Sequence, residues 1–70
     1  MSAEEKRAHY SAIVKQIYAV LAKYSAGIEE KDWDTIYATR EKFDLNDPFV
    51  KDMWIATYTE LARQYRQQSA

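Results

Sequence analysis

The chain has 70 residues, and its 10 Lys and Arg against 11 Asp and Glu give a formal net charge of -1. A second domain does not fit in this length, and the charge balance argues against a protein that binds nucleic acid through the phosphate backbone. One glycine, one proline and no cysteine exclude disulfides and thiolate metal sites, and they leave too few turn residues for a β-sandwich or β-barrel. With 47% hydrophobic residues, the chain can build a core and is expected to fold. Because turn residues are so few, the expected class is all-α.

A first helix is predicted over about residues 3–26. Ser2 followed by Glu5 forms a capping box, which marks the start of a helix. Gly27 is expected to end it by adopting the left-handed conformation just beyond the last turn. Between these signals, apolar residues recur with the spacing of one helix face, at Tyr10, Ile13, Val14, Ile17, Leu21 and Tyr24.

Two further helices are predicted, over about residues 31–43 and 48–67. An acidic run that includes Asp32, a plausible N-cap, suits the positive end of the second helix dipole. Asp47 followed by Pro48 supplies an N-cap and a proline at the first helical position of the third helix. The last residues, 67–70, are expected to fray. Short connections make neighbouring helices antiparallel, so the predicted fold is a single three-helix protomer, a short antiparallel helical bundle.

The third helix carries more apolar surface than a three-helix protomer can cover. Large apolar residues in its first half span an arc of about 240°, so this half is apolar nearly all round, whereas a three-helix protomer gives each helix only two neighbours. The excess is interpreted as a self-association interface formed by Phe49, Met53 and Ile55. The alternative is that Phe49 and Ile55 are isolated surface hydrophobic residues, which soluble proteins tolerate. Because chains this short are marginally stable without crosslinks, homodimerisation is predicted to complete the fold.

The segment 28–47 is acidic, with seven acids and three bases, and aromatic residues are set in it. Aromatic side chains surrounded by charge are typical of interface hot spots, and an acidic surface favours a basic partner. Core packing is the alternative role for Trp33, as it is for Trp54 on the third helix. The residues predicted to contact a partner protein are Tyr18, Glu30, Asp32, Trp33, Asp34 and Tyr37.

No catalytic, cofactor or metal site is predicted from the residues. His9 is the only histidine, and Ser11 lies two residues from it, so their side chains point in different directions on a helix. Asp32 and Asp34 are likewise two apart, and helix capping accounts for them better than acid–base catalysis. The N-terminal residues lack a basic secretory segment, and no run of about 20 uncharged residues could span a membrane. We therefore expect a cytoplasmic protein that contacts neither membranes nor nucleic acid.

The sequence thus predicts a small non-enzymatic module that binds and modulates a larger protein as an inhibitor, adaptor, chaperone or regulator. A phage- or plasmid-type inhibitor of a host protein is one form of this hypothesis. Two alternatives remain open. The second and third helices could form a helix-turn-helix-like DNA-binding repressor, although the start of the third helix offers only Lys51 as a cation. The chain could also be a catalytically silent small subunit of an enzyme complex.

Overall fold

The structure, a computed structural model, describes residues 1–68 and contains three α-helices and no strand in that range. Helix α1 spans Ala3–Lys23, α2 spans Asp32–Ala38, and α3 spans Pro48–Gln68. A short 3₁₀ segment, Thr39–Lys42, continues α2. The predicted all-helical class is confirmed. No helix among residues 1–68 is long and apolar enough to cross a membrane. Residues 69 and 70, which the predicted domain and the predicted frayed end include, lie outside the described residues.

Two helix starts follow the local signals in the sequence. The Ser2 hydroxyl accepts a hydrogen bond from the Glu5 backbone N–H at 3.1 Å, which satisfies one of the unpaired donors of the first turn of α1. Asp47 does the same for α3, since its carboxylate accepts the Phe49 N–H at 2.9 Å. Pro48 is the first residue of α3, where its missing N–H costs nothing.

Helix α1 ends at Lys23, three residues earlier than predicted. Tyr24 leaves the helix with φ −105° and ψ 15°, and the N–H and hydroxyl of Ser25 both donate to the Ala22 carbonyl. Gly27 therefore does not cap the helix as expected. With φ +141°, a value that favours glycine, it redirects the chain within the following loop. This turn brings Ile28 into the core, where it is 2% exposed.

The second helix also differs in detail from the prediction. Its α-helical part begins at Asp32, and its last turn tightens into the 3₁₀ segment before Phe43 becomes extended. Asp32 is the first helical residue and not the N-cap. Its carboxylate accepts the Glu29 N–H at 2.8 Å and fixes the turn that enters the helix.

The three helices enclose one small core. Among residues 1–68, nine buried hydrophobic residues form it, and Ile36 of α2 and Leu61 of α3 are fully buried within it. Thr57 is the buried polar residue in that range, and its hydroxyl donates to the Met53 carbonyl at 2.7 Å. The complete hydrophobic set is Ile13, Ile17, Tyr24, Ile28, Ile36, Phe43, Val50, Trp54 and Leu61.

Contacts at both ends of the molecule show that α1 and α3 run in the same direction. Near the start of both helices, the Tyr10 and Phe49 rings meet edge to face, with their centroids 5.2 Å apart. At the other end, Gln68 contacts Ile28. Helix α2 runs the opposite way, because Trp33 at its start packs on Tyr65 late in α3, whereas Phe43, just past its end, packs on Trp54 early in α3.

Gln68 forms the longest-range hydrogen bonds in the described chain. Its side-chain oxygen accepts the Ile28 N–H at 3.0 Å, and its side-chain nitrogen donates to the Ile28 carbonyl. One amide thus satisfies both polar groups of a residue whose side chain is buried. The expectation that residues 67 and 68 fray is therefore wrong, since both belong to α3.

We expect Gln68→Ala to lower the free energy of unfolding by about 1–2 kcal/mol, because the Ile28 backbone groups lose their partners. Chemical denaturation followed by circular dichroism measures the effect. The adjacent, exposed Gln67→Ala is the matched control and should change stability by less than about 0.5 kcal/mol. Equal effects of the two variants would contradict this role for Gln68.

Candidate protein-interaction surfaces

The predicted self-association residues of α3 lie on different sides of the helix. Phe49 is 43% exposed and Ile55 is 50% exposed, so both present apolar surface to solvent. Six positions on an α-helix correspond to a change in direction of about 120°. Phe49 rests on Tyr10 of α1, whereas Ile55 lies beside Tyr37 of α2. Met53 is half-buried and packs against the core. The structure therefore does not bring the three residues together as one patch.

A shallow cleft lies between α2 and α3, and its lining is mainly apolar. Tyr37 and Ile55 form its exposed edges, and Trp54, which is 6% exposed, reaches it from the core. The full lining, hereafter the α2–α3 cleft, is Tyr37, Trp54, Ile55, Tyr58 and Thr59. Two exposed apolar side chains from different helices thus share one concave surface.

Arg40 fixes the orientation of Tyr37 at the edge of this cleft. Its guanidinium carbon lies 3.9 Å from the centroid of the Tyr37 ring, within the range of a cation–π contact. Its Nη1 atom also donates to the Tyr37 carbonyl at 3.0 Å. An aromatic side chain held in this way loses less conformational entropy when a partner covers it.

Trp33 belongs to the core side of α2. Its ring is half-buried and meets the rings of Tyr58 and Tyr65 edge to face, each with a centroid distance of 5.5 Å. This geometry is typical of structural aromatic packing. Trp33 therefore supports the cleft through Tyr58, and most of its surface is already occupied.

The acidic residues predicted to bind a partner have different roles. Asp32 is engaged with the Glu29 backbone, as described above. Glu30 and Asp34 are exposed, and among residues 1–68 neither forms an ion pair. They line a shallow depression together with Lys31 and Trp33. These two carboxylates are therefore available to a partner, whereas Asp32 has a structural role.

A second apolar surface lies along α1, where the sequence analysis placed only Tyr18. Tyr10, Val14 and Tyr18 are 46%, 50% and 71% exposed, and their spacing of four residues aligns them along the helix. Phe49 of α3 extends this surface through its contact with Tyr10. We call these four residues the α1–α3 face. Its signal in the sequence is a second apolar stripe beside the buried one that contains Ile13 and Ile17.

Two contacts between polar side chains lie near these surfaces. His9 Nε2 lies 3.6 Å from Asp47 Oδ2 at the start of α3. Further along α3, Glu60 and Arg63 form an exposed ion pair. The hydrogen bond from Arg63 lowers the pKa of the Glu60 carboxyl, and the same hydrogen bond raises the pKa of Arg63. Among residues 1–68, no group of three or more His, Cys, Asp and Glu residues could hold a metal ion.

Comparison with known protein families, with curated proteins and with solved structures finds no match.

We expect Trp33→Ala to lower the free energy of unfolding by about 2–3 kcal/mol, because it removes a ring packed against two tyrosines. Tyr37→Ala is the matched control, since Tyr37 is an exposed aromatic on the same helix. It should cost less than about 1 kcal/mol. Urea denaturation of the two variants and the wild type measures both changes. A loss from Trp33→Ala no larger than that from Tyr37→Ala would contradict the structural role of Trp33.

Proposed function

We propose that this protein is a small non-enzymatic interaction module that acts in the cytoplasm, where it binds and modulates a larger protein. In this proposal its three helices form a bundle that homodimerisation completes. The α2–α3 cleft binds the partner, and the α1–α3 face is reserved for self-association. Inhibition, adaptation and regulation of the partner are all compatible with this arrangement.

The observation that carries the proposal is the pairing of Tyr37 and Ile55 across the α2–α3 cleft. Interface hot spots cluster in pockets that become fully desolvated on binding, and tyrosine is one of the residues enriched there. The cleft offers an apolar floor, a tyrosine oriented by Arg40 and the Thr59 hydroxyl within one small area. An apolar side chain of a partner can be buried there without displacing any core residue.

Charge favours a basic partner. The segment 28–47 contains seven acids and three bases, a net charge of -4, while the whole chain carries -1. Glu30 and Asp34 are exposed, and among residues 1–68 neither forms an ion pair. A partner segment that places an apolar anchor near lysines or arginines would match both the cleft and its surroundings.

We expect Ile55→Asp to weaken partner binding at least about tenfold, because it puts a charge in the apolar cleft. Affinity capture from the native host extract with the full chain as bait, followed by quantitative mass spectrometry, compares wild type with the variant. Ala12→Asp is the matched control, an equivalent charge at an exposed position of α1 that belongs to neither surface. Proteins retained by wild type and Ala12→Asp but lost with Ile55→Asp support the proposal. Equal retention by both variants, or loss with Ala12→Asp alone, contradicts it.

The exposed carboxylates of Glu30 and Asp34 are expected to speed association with the purified partner. Glu30→Gln combined with Asp34→Asn should slow association several-fold at about 0.05 M salt, because these carboxylates attract a basic segment before contact. The difference should disappear near 1 M salt, where electrostatic screening limits charge interactions to about 3 Å. Stopped-flow fluorescence measures the association rate. An unchanged rate at low salt would contradict an electrostatic role for these two residues.

A further inference from the structure

The α1–α3 face is left uncovered because α2 packs on the other side of α1. A groove between these helices is lined by Gln16 and Val20 of α1 and by Thr35 of α2. On a helix, Val14 points about 120° away from Val20 and about 160° away from Gln16. The molecule is only 16 Å across its shortest axis, enough for two layers of helices. Among residues 1–68, no helix therefore lies above the stripe on α1.

The stripe is symmetric in sequence about Val14. Tyr10 precedes Val14 by four residues and Tyr18 follows it by four. In an antiparallel pair with a two-fold axis through Val14, Tyr10 of one copy therefore lies opposite Tyr18 of the other. Between Ala8 and Ala22 the sequence has a single formal charge, Lys15. Lys15 points about 100° from Val14, so its ammonium group can stay in water beside such a contact.

The two tyrosines are also complementary in their surroundings. Tyr10 already packs edge to face on Phe49 and forms with it an aromatic corner between α1 and α3. Tyr18 is 71% exposed, the most exposed aromatic side chain among residues 1–68, and no aromatic contact of it is formed within that range. One copy thus supplies an aromatic corner, and the other supplies a projecting ring.

We infer that a second copy of this chain covers the α1–α3 face in an antiparallel two-fold dimer, with Val14 on the axis and Tyr18 of each copy against Tyr10 and Phe49 of the other. This inference rests on the homodimerisation in the proposed function and specifies its geometry. Because the contact is made twice by symmetry, each protomer both gives and receives one tyrosine.

The area available fits a small but stable dimer. An aromatic side chain can bury roughly 150–250 Å², and the exposed fractions of Tyr10, Tyr18 and Phe49 leave about 240–400 Å² of aromatic surface per protomer. Two protomers therefore contribute about 500–800 Å² from these rings, and the half-exposed Val14 adds to this. Homodimer interfaces are about 65% apolar, so these rings correspond to an interface of about 800–1,200 Å². With Val14 the total approaches the lower end of the roughly 1,200–2,000 Å² that stable interfaces bury.

Single cysteines test this geometry directly, because the natural chain has none. In the inferred dimer, Val14→Cys places two thiols at the axis, and we expect a disulfide-linked dimer under mild oxidation. Arg7→Cys tests direction, because Arg7 lies two turns before Val14 on nearly the same side of α1. The two Arg7 positions are about 21 Å apart along an antiparallel pair but adjacent in a parallel one, and a disulfide requires Cα atoms within about 7 Å. Ala12→Cys is the control, an exposed position pointing about 160° from Val14.

Crosslinking of Val14→Cys alone supports the inference. Crosslinking of both Val14→Cys and Arg7→Cys overturns the antiparallel arrangement but leaves a dimer on this face. Equal or faster crosslinking of Ala12→Cys overturns the choice of face.

Sedimentation equilibrium of the unmodified chain provides the second measurement. We expect a dimer that Tyr18→Asp weakens at least about tenfold, while Tyr37→Asp, an equivalent change at an exposed tyrosine outside this face, leaves the dissociation constant within about twofold. A wild-type protein that stays monomeric to about 0.5 mM overturns the dimer altogether. It leaves the partner-binding proposal standing, because the α2–α3 cleft does not contain any residue of the α1–α3 face. Loss of dimer with Tyr37→Asp and not with Tyr18→Asp also overturns the inference.

Discussion

A short helix packed against two long ones determines most of this structure. Helices α1 and α3 have 21 residues each, about 32 Å long, whereas α2 and its 3₁₀ extension have 11 and reach about 18 Å. The core forms where all three meet, around the fully buried Ile36 and Leu61. Elsewhere, among residues 1–68, no third helix covers α1 and α3. Apolar residues outside the reach of α2 therefore remain exposed and form the α1–α3 face, whereas the α2–α3 cleft lies where α2 meets α3.

The parts of the fold that could be predicted are those specified by neighbouring residues. The Ser2 cap and the Asp47–Pro48 helix start act within two or three residues, and the structure has both hydrogen bonds. The contact between Gln68 and Ile28 joins residues 40 apart in sequence, and no local pattern indicates it. The predicted end of α1 was wrong for a related reason. Gly27 was expected to stop the helix, but the chain leaves the helix at Tyr24, whose ring is buried in the core.

The candidate surfaces show the same division between local and tertiary information. Helical periodicity indicates how wide an apolar arc is, and it predicted that α3 has more apolar surface than its neighbours cover. It does not indicate which side of the arc a short neighbouring helix occupies. The position of α2 separates Ile55 from Phe49 and joins it to Tyr37. The roles of Trp33 and Asp32 could not be read from the sequence either, because they depend on Tyr58 and Tyr65 across the core and on the local turn at Glu29.

The arrangement of the two surfaces has a consequence for how such a module would act. In a two-fold dimer joined through the α1–α3 face, the two α2–α3 clefts remain outside the contact, one on each protomer. A partner with two basic segments, or a partner that is itself a dimer, can then engage both clefts, and the second binding event becomes intramolecular. Avidity of this kind can exceed the affinity of one cleft by about 10²–10⁴ without any new contact. A cleft built from a few side chains would then be sufficient for tight binding, provided that the dimer holds the two clefts at the spacing of the two segments.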